Sequence, residues 1–120
     1  MSKDMVRLAV DLTINEGKLS EFESIVQTMI TGTQKEPGTL GYDFFLSDDR
    51  KRCRLIESYV DAGALLVHFK GPVVQELVPK MLGTSSLSRF EVYGNPGPEA
   101  AQMLKGFGAE IFGLWGGVSR

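Results

Sequence analysis

The sequence contains one cysteine, one histidine and one tryptophan among its 120 residues. A lone cysteine closes no disulfide within the chain, and one His with one Cys cannot assemble the usual zinc ligand sets. Net charge is scarce too. Thirteen basic against 15 acidic side chains leave a formal −2, which provides no broad positive field for nucleic acid or an anionic membrane. The basic cluster of Arg50, Lys51, Arg52 and Arg54 follows Asp48 and Asp49 and reads as a solvated hairpin turn. No run approaches the ~18 apolar residues of a membrane-crossing helix. The start, Met1-Ser2-Lys3-Asp4, lacks the apolar core of a signal peptide. A cytoplasmic, reducing environment is therefore expected. Gly-x-Gly-x-x-Gly, a phosphate-binding loop and paired metal ligands are all missing, so neither cofactor nor metal is expected.

What is present is the composition of an ordinary globular domain, 42% hydrophobic and 23% charged. Val6, Leu8, Val10, Leu12 and Ile14 alternate with Arg7, Ala9, Asp11 and Thr13, which predicts a half-buried strand. Over residues 18–35, Leu19, Phe22, Ile25, Val26, Met29 and Ile30 recur at helical spacing. Glu36-Pro37-Gly38 then ends that helix. Residues 39–47 predict a second strand, with Tyr42, Phe44 and Leu46 on one face. After the turn a third strand spans residues 53–60, with Cys53, Leu55, Glu57 and Tyr59 sharing a face. Asp61 is placed to cap a helix over residues 62–69. Pro72 can open another, with a kink or break expected at Pro79. A fourth strand is predicted over residues 87–93, with Ser88, Phe90 and Val92 on one face. Beyond the breaker run at residues 94–98 comes a short helix, then an apolar, glycine-rich tail in which Phe107, Ile111, Phe112, Leu114 and Trp115 should pack on the domain or on a second subunit.

The order β-α-β-β-α-β predicts an α+β, ferredoxin-like fold with a four-stranded antiparallel sheet covered on one face by helices. The uncovered face predicts a homodimer formed sheet to sheet. We divide the chain into a domain of residues 1–94 and an extension of residues 95–120.

Arg7-Leu8-Ala9-Val10, Glu16-Gly17-Lys18, Glu21-Phe22, the run Glu36-Pro37-Gly38-Thr39-Leu40-Gly41-Tyr42, and Glu57-Ser58-Tyr59 followed by Ala64 and His68-Phe69 together resemble the antibiotic biosynthesis monooxygenase family. The resemblance covers residues 5–93. It implies a dimeric α/β barrel and a small oxygenase that uses O2 without metal or flavin on quinol- or anthrone-type aromatics. It also implies that His68 is the helix histidine of the family. Many members carry a second histidine where this chain has Val73. Haem-degrading relatives use an Asn, a Trp and a His at places that align by hand with Val10, His68 and Val78, which disfavours haem cleavage.

His68 is the candidate catalytic base, since imidazole is the side chain that ordinarily titrates near neutral pH. Leu65 and Phe69 share its helical face. Tyr42, Tyr59 and Glu57 on the strands join them as candidate substrate-binding residues. For Glu57 the bland explanation is a cross-strand pair with Arg7, Arg54 or Arg89, and the sharper one is a general base. Asp11 and Asp43 are ambiguous in the same way, and Met29, Met81 and Met103 are either core filler or an adaptable lining. Two other functions compete with the oxygenase. One is a non-catalytic dimeric module that binds a hydrophobic small molecule or a partner protein. The other is an isomerase or cyclase, which needs an acid and a base paired near His68.

Overall fold

The computed structural model describes residues 4–118. β1 (Val6–Ile14) leads into α1 (Leu19–Thr33), followed by the hairpin of β2 (Thr39–Leu46) and β3 (Arg52–Tyr59). α2 (Ala62–Lys70), a π-helical turn (Val73–Leu77) and α3 (Val78–Leu82) lead to β4 (Ser85–Tyr93), α4 (Pro98–Gly106) and β5 (Glu110–Phe112). The strand order is β2-β3-β1-β4-β5. The first four strands pair antiparallel in the ferredoxin-like manner.

The expected sheet of four strands is corrected to a mixed sheet of five, because β5 pairs parallel to β4 through Glu91 with Glu110, Val92 with Ile111 and Tyr93 with Phe112. Parallel neighbours require a crossover, and α4 supplies it. Ala100 and Leu104 of α4 are buried in one core cluster with Val6, Leu8, Tyr59, Leu65 and Phe69. Phe112 stacks on Tyr93 with ring centres 5.7 Å apart. Leu114 and Trp115 behave differently. They stand 67% and 101% exposed and belong to neither core cluster.

The period-two reading of β1 and β3 holds residue by residue. Val6, Leu8, Val10, Leu12 and Ile14 are buried, as are Cys53, Leu55, Glu57 and Tyr59. β4 departs from it. Asp11 faces Arg89 but Leu12 faces Leu87, so Ser88 is an extra residue, a β-bulge. The expected sharing of a face by Ser88 and Phe90 is therefore corrected. Ser88 is exposed and donates to the Asp11 carbonyl at 3.1 Å, while Leu87 and Phe90 both pack on the main core. Asp61 caps α2 as expected, its Oδ1 accepting the Ala64 N–H at 2.9 Å. At Pro79 the chain does not break. The wide π turn just before it leads directly into α3, so the helix absorbs the missing proline donor by loosening one turn.

Gly38 sets how closely the loop between α1 and β2 approaches α2. A Cβ on it would lie 2.5 Å from the Ala64 Cβ, far inside van der Waals contact. Only glycine lets that loop lie flat on the helix that carries His68.

Candidate active site

α2 and α3, β1, β3 and β4 enclose a cleft of about 490 Å³, its open mouth included. Val10, Met29, Leu55, Val78, Met81 and Phe90 are among its walls, and Phe107 of the tail joins them. Among the described residues, Tyr42, Glu57 and His68 are the only polar side chains on the lining, and no Lys or Arg is present there. The site can therefore hold a hydrophobic body and meet it at one end with three titratable groups.

His68 is almost completely buried on α2. Its Nδ1 lies 2.8 Å from Glu36 Oε1. A carboxylate can only accept, so Nδ1 carries the proton in this pair and Nε2 keeps the free lone pair. Glu36 Oε1 also accepts the Thr39 hydroxyl at 3.0 Å. These bonds fix both the tautomer and the orientation of the ring, the usual effect of a carboxylate behind an imidazole. On the other side, Nε2 lies 3.8 Å from Glu57 Oε1, beyond hydrogen-bond range. Among the described residues no group bonds Nε2.

Glu57 points inward from β3 and is 4% exposed. Its Oε1 accepts the Tyr59 hydroxyl in a short hydrogen bond. Removal from water pushes its carboxyl above the ordinary range, and the neighbouring imidazole and the Tyr59 hydroxyl offset that only in part. Burial first, and the adjacent Glu57 second, also hold both Tyr42 and Tyr59 well above the ordinary phenol range. Both phenols stay protonated, and Tyr59 is therefore the donor to Glu57. The rings of Tyr42 and Tyr59 sit 5.2 and 5.5 Å from the imidazole.

Of the residues singled out in the sequence, Tyr42, Glu57, His68 and Phe69 come together on the cleft. Tyr59 and Leu65 lie one layer behind it, fully buried, and Tyr59 touches the site through Glu57. Met29 and Met81 line the cleft, whereas Met103 packs against the other cluster. Val10 and Val78 are apolar wall. The expected pairing of Glu57 with an arginine is corrected. Arg54 binds Asp11 at 2.6 Å and Arg89 binds Glu91 at 2.6 Å. Both arginines are exposed, with partners on the open side of the sheet. Strand parity alone separates Arg54 from Glu57. Asp43 is exposed on β2. Glu36 was missed, because in the sequence it is one letter of a helix-stopping run.

No protein of curated function matches the chain in sequence. Residues 5–80 match the family model described as antibiotic biosynthesis monooxygenase. Among solved structures, the chain is similar to MupZ from Pseudomonas fluorescens, with 28% identity over 97% of this chain and 94% of that one, and a TM-score of 0.79. Its fold is shared by SnoaB, described as a cofactor-independent oxygenase from Streptomyces nogalater, at 17% identity over 79% and 96% of the two chains and a TM-score of 0.68. It is shared as well by a candidate antibiotic biosynthesis monooxygenase from Nitrosomonas europaea, at 18% identity over 82% and 96% and a TM-score of 0.70.

Proposed function

Because the chain belongs to the antibiotic biosynthesis monooxygenase family, we propose that it is a cofactor-independent monooxygenase that oxidises a small hydroxylated aromatic of the quinol or anthrone type with O2. The observation that carries this reading is His68, with Nδ1 tied to Glu36 and Nε2 left free beside an apolar cleft. The imidazole takes the acidic proton of the substrate. The resulting electron-rich anion passes an electron to O2, so the protein supplies deprotonation, positioning and a dry site. For an anthrone, one oxygen atom enters the ring carbon, which becomes a carbonyl, and the other leaves as water. The Tyr42 phenol and the Glu57 carboxyl are the polar groups within reach of the substrate oxygen, and Phe69 is part of the wall.

The test is O2 uptake with a panel of quinols and anthrones, wild type against His68→Ala. Loss of a general base lowers turnover by about 10²–10⁴-fold. Activity that survives the substitution removes His68 from the mechanism. Wild-type uptake equal to autoxidation across the whole panel favours a non-catalytic module that binds a hydrophobic molecule.

The quaternary arrangement belongs to the same reading. The open face of the sheet, where Phe45 is 57% exposed and Tyr93 38%, supports a homodimer in which two sheets close an α/β barrel. Sedimentation equilibrium tests this, and a monomer at micromolar concentration contradicts it. Residues 95–120 are read as an extension whose Phe107 narrows the cleft mouth. No helix of the described residues is long and apolar enough to cross a membrane, and we assign the enzyme to the cytoplasm.

A further inference from the structure

A monooxygenase of this kind needs a base. The cleft offers more than that. Glu57 Oε1 lies 3.8 Å from His68 Nε2, both residues line the cleft, and among the described residues no Lys or Arg lines it. Glu36, the other carboxyl of the group, already accepts from the imidazole and from Thr39. Glu57 is the more deeply buried of the two carboxyls beside the imidazole, its side chain 5% exposed against 14%, and removal from water raises its pKa. Tyr59 donates to Glu57 Oε1, and among the described residues nothing bonds Oε2. With its proton on, Glu57 sets a carboxylic acid with one oxygen unbonded beside an imidazole with a free lone pair, a proton donor next to a proton acceptor.

We propose that Glu57 and His68 form an acid–base pair that catalyses keto–enol proton transfer on an uncharged, hydrophobic cyclic ketone without O2. The proposal rests on the assignment of His68 as the base that faces the cleft. It adds a second catalytic residue, a carbon-acid substrate and a reaction with no redox step.

The step balances without a co-reactant. His68 Nε2 takes a proton from the carbon next to the carbonyl. The C–H electron pair becomes the C=C bond, the carbonyl π pair moves onto oxygen, and the Glu57 O–H proton goes to that oxygen. The enol then faces an imidazolium and a carboxylate a few ångströms apart. Reprotonation by His68 at the same carbon exchanges a hydrogen, and reprotonation at a conjugated carbon moves the double bond. A neutral acid aimed at a developing enolate oxygen in an apolar cavity stabilises it without a metal. The walls select the substrate. Eleven apolar side chains, with no Lys or Arg among the described residues of the lining, exclude carboxylates and phosphates from the buried end, while a fused-ring ketone matches the polarity of both the walls and the polar end.

The experiment is hydrogen–deuterium exchange at the α-carbon of 2-tetralone, 1-indanone and anthrone in D2O under argon, followed by proton NMR. The enzymes are wild type, Glu57→Gln, His68→Gln and Tyr59→Phe, each checked for folding by circular dichroism. The expected result is wild-type exchange well above buffer for at least one ketone, with Glu57→Gln slower by about 10²–10³-fold, the usual effect of losing an oxyanion donor. His68→Gln should fall to the buffer rate. Tyr59→Phe removes the hydroxyl bonded to Glu57 Oε1 and should slow the exchange by a smaller factor than Glu57→Gln; if Glu57→Gln does not fold, wild-type exchange against buffer still decides. Wild-type exchange at the buffer rate for all three ketones overturns the proposal, and so does exchange unchanged in Glu57→Gln. His68-dependent O2 uptake in air without anaerobic exchange overturns it while leaving the monooxygenase reading intact. Exchange with no O2 uptake supports it and removes the monooxygenase reading.

Discussion

The two faces of the sheet treat charge in opposite ways. On the open face Asp11, Arg54, Arg89 and Glu91 form a ladder across β1, β3 and β4, with every cation next to an anion and solvent around them. On the covered face, three residues along β3 from Arg54, Glu57 is shut away from water with only a phenol and an imidazole for company. The first arrangement is ordinary surface electrostatics, which contributes little to stability. The second opposes folding whenever the carboxyl ionises, and it persists only where the neighbouring groups keep it protonated or use its proton. A charged residue in a strand says nothing about function until its face is known.

The contrast predicts substitution effects that fall in order across the sheet. Leu12→Ala, fully buried on β1 beside Asp11, should cost about 2–5 kcal/mol in chemical denaturation. A loss under 1 kcal/mol would mean that the covered face is less tightly packed than its burial implies. Glu57→Gln tests the carboxyl directly. Its folded-state pKa is raised above the ordinary 4.5, with burial as the main cause. The unfolded chain therefore releases this proton first as pH rises. The resulting penalty on the folded state is absent below the unfolded pKa and grows above it, up to the folded pKa. The Gln variant should match wild type in Tm near pH 4 and exceed it increasingly toward pH 8. A constant difference across that range would show that Glu57 ionises as easily folded as unfolded. Arg54→Ala on the open face should change stability by no more than about 1 kcal/mol, and less in high salt.

The same contrast explains what the sequence made legible. Parity in β1 and β3 placed every buried side chain, Glu57 included, because a period of two has no freedom once one face is covered. The helix of α1 and the Asp61 cap were legible for the same reason: each rests on contacts within one or two turns. The bulge at Ser88 was not, since an inserted residue leaves Leu87-Ser88-Arg89-Phe90 looking like plain alternation. β5 was hidden as well. Three residues among glycines acquire strand geometry only from β4 beside them and from α4, which carries the chain there. The bond between Glu36 and His68 joins positions 32 residues apart. What brings them together is the flat approach of Gly38 to Ala64, a relation that no local pattern encodes. His68 and Glu57 could be singled out from the chain, but the proton inventory that links them needed the fold.

The chain's single histidine makes one measurement free of assignment problems. Long-range proton–nitrogen correlation NMR of uniformly nitrogen-15-labelled protein reads the protonation of both imidazole nitrogens directly. In its neutral form His68 should carry its proton on Nδ1 and leave Nε2 with a pyridine-type shift, and Glu36→Ala should abolish this preference. A proton on Nε2 in the neutral wild-type ring would contradict it, because the nitrogen facing the cleft would then have no lone pair with which to act as a base.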